Sequence, residues 1–153
     1  MKKLIFLLPI LILLIACSST QITEDIAVRK CEYQLASVNV REHNTSDISL
    51  NVVMQVKNPN KDVDAKIRSF EGTLHANNRP ISDINFENTL IPAKQTVPLA
   101  ATITVTFEQL GKTLSGLIAM HSSEIKYHIE GIAIYDTSMG DVSIPVYTYE
   151  KRD

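Results

Sequence analysis

Apolar and polar residues alternate along most of this chain with the period of two that marks half-buried strands. Ile48, Leu50, Val52, Met54 and Val56 share one phase, and Ser49, Asn51, Gln55 and Lys57 share the other, with Val53 the lone exception. Phe70, Gly72, Leu74 and Ala76 alternate with Glu71, Thr73, His75 and Asn77. After the turn signal Asn77-Asn78-Arg79-Pro80, a weaker run places Ile84, Phe86 and Leu90 together. Val97, Leu99, Ala101, Ile103, Val105 and Phe107 alternate with Thr102, Thr104 and Thr106. Ile125, Tyr127, Ile129 and Ala133 alternate with Lys126, His128 and Glu130. Val142, Ile144 and Val146 form the last run, after a turn at Met139-Gly140-Asp141. With a first strand around residues 35–40, this predicts seven strands.

One segment departs from the rule. Leu110, Leu114, Leu117 and Ile118 stand at i, i+4, i+7 and i+8, the stripe of an amphipathic helix over residues 108–120. Gly111 and Gly116 each weaken it by roughly 1 kcal/mol relative to alanine, so packing must hold it. Seven strands with one apolar face each bury that face most economically as two stacked antiparallel sheets. The expected fold is an all-β, seven-stranded antiparallel β-sandwich of the fibronectin-III or immunoglobulin kind with one short helix.

The N-terminus obeys a different pattern. Lys2 and Lys3 precede an apolar run from Leu4 to Ala16 broken only by Pro9. A basic start, about a dozen apolar residues and a small residue at the end make a secretory signal, too short to span a bilayer. The run ends at Leu14-Ile15-Ala16-Cys17, which resembles the bacterial lipobox. That resemblance implies a signal peptide over residues 1–16 and a diacylglyceryl thioether with further acylation (such as palmitate) on Cys17. Two or three acyl chains, at roughly 0.8 kcal/mol per buried CH₂, hold a protein to a membrane lastingly. Ser18 stands where aspartate marks inner-membrane retention in such lipoproteins, so the resemblance implies the outer membrane, facing the periplasm. Residues 17–30 are expected as the lipidated cysteine and a polar tether, and residues 31–153 as the folded domain. Cys31 is then the single free thiol, read as buried and inert because no second cysteine or histidine makes a redox motif.

Composition narrows the function. The 153 residues carry 15 Lys+Arg and 17 Asp+Glu, a net charge of −2, with 6% aromatics and no Trp. Neither a basic patch nor stacking rings are present in the measure that nucleic-acid readers need, so no nucleic-acid partner is expected. Without Lys2 and Lys3 the mature chain carries 13 basic and 17 acidic residues, net −4, and no contiguous polybasic segment. Thirteen of the first sixteen residues are hydrophobic, and the remainder has the apolar content of an ordinary globular domain.

No catalytic set assembles. Gly111-Lys112-Thr113 ends like a phosphate loop, but Thr106 stands where the cradle needs glycine. There is no G-x-S-x-G elbow. His43, His75, His121 and His128 have no partner at zinc-ligand spacing, and His75 and His128 fall on polar phases, as solvated surface groups do. The acidic pairs Glu24-Asp25 and Asp62/Asp64 lack the oxygen count and glycine-bearing loop of a calcium site. The Thr102, Thr104, Thr106 row reads as β-branched outer surface, with a ligand- or ice-facing hydroxyl array as the alternative. No enzyme, metal or cofactor is expected.

Asn58-Pro59-Asn60 closes the second strand. Pro59 cannot donate to a ladder and forces Asn58 out of the helical region, while both asparagines can bond nearby backbone. This motif, followed by IRSFEGTL over residues 67–74, by Ile91-Pro92-Ala93 and by the threonine-rich strand, resembles the type-2 late embryogenesis abundant (LEA) family. That family is also called the water-stress-and-hypersensitive-response (WHy) domain. The resemblance covers about residues 33–135, with Asn58, Pro59, Asn60 and Gly72 as fold markers. It implies a compact, non-enzymatic β-sandwich associated with desiccation, osmotic and cold stress, some members with membranes. The expectation is a membrane-anchored protective lipoprotein acting through weak surface interactions; the alternative is an envelope binding or assembly module for a lipid or protein.

Overall fold

The computed structural model describes residues 23–106, 108 and 125–149. Its strands are β1 (Glu32–His43), β2 (Asp47–Lys57), β3 (Ala65–Ala76), β4 (Arg79–Ile91), β5 (Thr96–Thr106), β6 (Tyr127–Thr137) and β7 (Gly140–Tyr149). Two antiparallel sheets stack, one ordered β1-β2-β5 and the other β4-β3-β6-β7. This is the expected all-β sandwich. The helix expected over residues 108–120 lies outside the described residues apart from Glu108, which has helical backbone.

Alternation holds where the sheet is regular. In β2, Leu50, Val52, Met54 and Val56 are buried, and on the inner side Leu50 and Met54 pair with the buried Ile103 and Leu99 of β5. Phe70, Leu74, Ile84, Ile129, Ala133 and Tyr135 supply the opposing layer, and all of them belong to one core cluster. Asn77 and Asn78, at φ 49° and 65°, form the two-residue link between β3 and β4. Both tolerate the left-handed region that a twisted hairpin turn requires.

Leu90 corrects the expected phase of β4. It is 54% exposed, while Ile91 is fully buried. The cause lies in β3, where the pairing with β6 slips between Ile67 and Ser69, leaving Arg68 as an extra residue. Such a bulge inverts the side-chain phase beyond it. β4 stays in register with β3 through this stretch, so Leu90 turns outward with it.

Part of the segment expected as tether is folded. Residues 23–28 form a helical turn, and Ala27 and Val28 are 3% and 2% exposed. Glu24 fastens it, accepting hydrogen bonds from the Ser138 amide at 2.9 Å and the Ser138 hydroxyl at 2.6 Å. These bonds to the carboxylate hold the Glu24 pKa below its usual value. Burial of Ala27 and Val28 and the hydrogen bonds of Glu24 together hold a polar-looking segment on the body.

Candidate functional site

Asn58 is wholly buried at the end of β2, and every polar atom of its side chain is used. Its Nδ2 donates to the Val63 carbonyl at 2.9 Å and the Ile91 carbonyl at 3.0 Å. Its Oδ1 accepts from the Asn60 amide at 3.1 Å and from Asn60 Nδ2 at 2.6 Å. Asn60 Nδ2 also donates to the Ala27 carbonyl at 2.8 Å. The backbone closes the same knot, with Asn58 N donating to Gln95 O and Lys94 N to Asn60 O, each at 2.9 Å. Pro59 stands between the two asparagines, and with no N–H to contribute it ends the ladder there. The motif therefore joins the β2–β3 loop, the β4–β5 turn and the 23–28 helix. Its chemistry is structural: the Asn58 side chain and Asn60 Nδ2 are spent on hydrogen bonds within the fold.

Gly72 pairs across β3–β6 with Gly131. A Cβ at Gly72 would lie 2.6 Å from the Glu130 carbonyl oxygen and 2.8 Å from the Phe70 ring, and one at Gly131 would lie 2.5 Å from the Glu71 carbonyl oxygen. The bare backbone at this crossing is what lets the Phe70 ring lie over it, tilted at 5.6 Å to Phe86.

On the other side of that crossing, the outer face of β4-β3-β6-β7 is a grid set by the pairing register. Its rows are Asn85, Glu71, Ile132 and Pro145; then Asp83, Thr73, Glu130 and Tyr147; then Pro80, His75, His128 and Tyr149. An open groove of about 750 Å³ runs over the first two columns to Glu130 and Ile132, lined by three carboxylates and no Lys or Arg. Beside it Ile132, Tyr147 and Tyr149 are 51%, 52% and 58% exposed. The two tyrosine hydroxyls are 2.9 Å apart, and sharing that bond pushes the Tyr147 pKa up to about 12.

His128 corrects the expectation of a solvated histidine. It lies on the outer face as its phase requires, yet it is only 3% exposed. His75 stacks on it at 4.5 Å with 2° between the ring planes, and Tyr147 and Tyr149 close the other side at 5.2 and 5.5 Å. Burial and the neighbouring His75 hold the His128 pKa below its ordinary value against the opposing pull of Glu130. His75 Nδ1 is itself buried, with no hydrogen-bond partner among the described residues. Sequence reasoning missed this cluster because its members are brought together only by cross-strand register.

The other candidates stay apart. Thr102, Thr104 and Thr106 do face outward from β5, on the opposite sheet, with Arg41 reaching the Thr102 hydroxyl at 3.4 Å. Cys31 is half-buried next to the hydrogen-bonded hydroxyls of Tyr33 and Tyr135, and burial pushes its thiol pKa up, away from the reactive range. Among the described residues no group of three or more His, Cys, Asp or Glu is placed to hold a metal. Asp64 instead accepts from the Ala93 amide at 2.8 Å. Cys17 lies outside the described residues.

Comparison with known proteins agrees with this architecture. The family model described as late embryogenesis abundant protein, LEA_2, matches residues 53–148, more than half of the chain. No curated protein matches. A solution structure from Arabidopsis thaliana is 18% identical with a TM-score of 0.59 and covers 80% of each chain. A solution structure described as a late embryogenesis abundant (LEA) protein is 19% identical with a TM-score of 0.54, covering 80% of this chain and 70% of that one. A crystal structure of a protein from Archaeoglobus fulgidus is 13% identical with a TM-score of 0.51, covering 76% of this chain and 94% of that one. At such identities the likeness establishes the fold.

Proposed function

The chain belongs to the late embryogenesis abundant family LEA_2, and from that premise we propose that it is a non-enzymatic, lipid-anchored protective protein of the cell envelope. In this reading the signal over residues 1–16 is removed, Cys17 carries the acyl chains, and Ser18 directs the protein to the outer membrane on its periplasmic side. The domain then works by weak contacts with exposed apolar or partly unfolded surfaces during drying or osmotic stress. The observation that carries the reading is the outer face of β4-β3-β6-β7, where Ile132, Tyr147 and Tyr149 stand half-exposed beside a groove lined by Glu71, Asp83 and Glu130. An exposed apolar patch rimmed by polar groups suits reversible, low-affinity contact, and anchoring raises its local concentration.

The test is drying and rehydrating a labile enzyme with an equimolar amount of the mature protein. Retained enzyme activity is expected, reduced by the triple substitution Ile132→Ser, Tyr147→Ser and Tyr149→Ser. Equal loss with and without the protein overturns the reading. The groove beside the patch favours the second reading, an envelope module for a lipid or protein partner. Native mass spectrometry of the lipidated form would then show a retained ligand, where the protective reading expects the bare chain.

A further inference from the structure

Strand order places the two ends of the sandwich in different surroundings. The β2–β3 loop, the β4–β5 turn, the β6–β7 turn and the 23–28 helix all lie at one end, while the β1–β2 and β3–β4 turns lie at the other. At the first end the contacts gather three lysines from distant parts of the sequence. Lys30 N and Asn60 Nδ2 both donate to the Ala27 carbonyl, and Lys94 N donates to the Asn60 carbonyl, next to Lys61. Lys30, Lys61 and Lys94 are exposed, and none is in an ion pair among the described residues. Two large apolar side chains protrude at the same end: Ile26 is 48% exposed on the helix, and Met139 is 63% exposed next to the Ser138 that Glu24 grips.

The chain length between Cys17 and this end is what selects the occupant. Thr23 begins the docked helix, so six residue steps separate it from Cys17, and at the extended limit they span about 20 Å. Strands of 10 to 13 residues make the sandwich longer than that, at roughly 3.3 Å per residue. With Cys17 in the lipid surface, the far end cannot turn to the bilayer in place of the near one. Lying on the β4-β3-β6-β7 face is opposed by Glu71, Asp83 and Glu130, which repel anionic head groups. At the helix-bearing end, by contrast, Asp25 is paired with Arg29, Glu24 is bonded to Ser138 and Asp64 to the Ala93 amide, with Asp62 exposed beside Lys61.

We propose that the helix-bearing end is a membrane-contact face: Ile26 and Met139 enter the interface of an anionic lipid surface, and Lys30, Lys61 and Lys94 lie over its head groups. This rests on the lipidated reading above. The acyl chains anchor, and this face orients, standing the strands away from the membrane with both outer sheet faces open to clients.

The protein has no tryptophan, so single reporters are clean. Met139→Trp, Thr45→Trp in the far β1–β2 turn and Asn51→Trp on the outer face of β2 are each made in the mature lipidated protein. Each is reconstituted on phosphatidylethanolamine–phosphatidylglycerol vesicles with brominated acyl chains. Emission at 139 is expected to be lost to quenching and that at 45 and 51 retained, and adding Lys30→Gln, Lys61→Gln and Lys94→Gln should weaken the loss at 139. Acylated protein with quenching at 45 or 51 equal to that at 139, or none at 139, overturns the orientation alone. An intact mass without acyl groups in the same preparation overturns the anchored reading, and the orientation with it.

Discussion

Replacing Asn58 by alanine removes four hydrogen bonds from a side chain that water cannot reach. Each such bond contributes about 1 kcal/mol net, and the buried carbonyl of Ile91 loses a donor that solvent cannot replace, so the expected cost is about 4 kcal/mol. That is a large share of the roughly 5–15 kcal/mol that holds a domain of this size together. Urea unfolding followed by far-ultraviolet circular dichroism reads the effect. With a slope near 1.5 kcal/mol per molar, the midpoint should fall by roughly 2–3 M with the slope unchanged. Asn58→Asp sharpens the test. At neutral pH it sets a carboxylate against the Val63 and Ile91 carbonyls and should cost at least as much as alanine, with partial recovery in acid as the carboxyl regains a proton to donate. A loss under about 1 kcal/mol for alanine, or an unaffected aspartate variant, would refute the view that this residue ties the end of the sandwich together.

Three further outcomes follow from the same structure. Gly72→Ala should cost about 2 kcal/mol in the same urea assay, because its Cβ meets a backbone oxygen of β6 at 2.6 Å that cannot step aside. Because His128 binds its proton less readily folded than unfolded, stability should be full above its ordinary value of 6.5 and fall as pH drops below it. Thermal melts from pH 8 to 5 check this, and His128→Gln should flatten the slope. Cys31 should react with a thiol reagent at least about tenfold more slowly in the folded protein than in urea, since burial disfavours its thiolate.

The regular strands were legible in the sequence because β2 and β5 keep strict alternation over a shared, unbulged register. Leu90 was misplaced because the phase change originates at Arg68, on a different strand, where nothing local marks a bulge. Asn58-Pro59-Asn60 could be read as a strand terminator from its own chemistry. Its reach to Ile91 and Ala27, each 33 residues away in sequence, depends on how the loops meet. His128 shows the same limit: polar phase correctly put it on the outer face, but its burial comes from His75, Tyr147 and Tyr149 on neighbouring strands. The lysines at the helix-bearing end form no run in the sequence, and only the fold collects them.

The most direct test of the whole account is the intact mass of the mature protein recovered from the membrane fraction of its own host. It should begin at Cys17 and carry a diacylglyceryl group, with further acylation of the new amino terminus. A chain that retains residues 1–16, or one cut there with an unmodified cysteine, would contradict it.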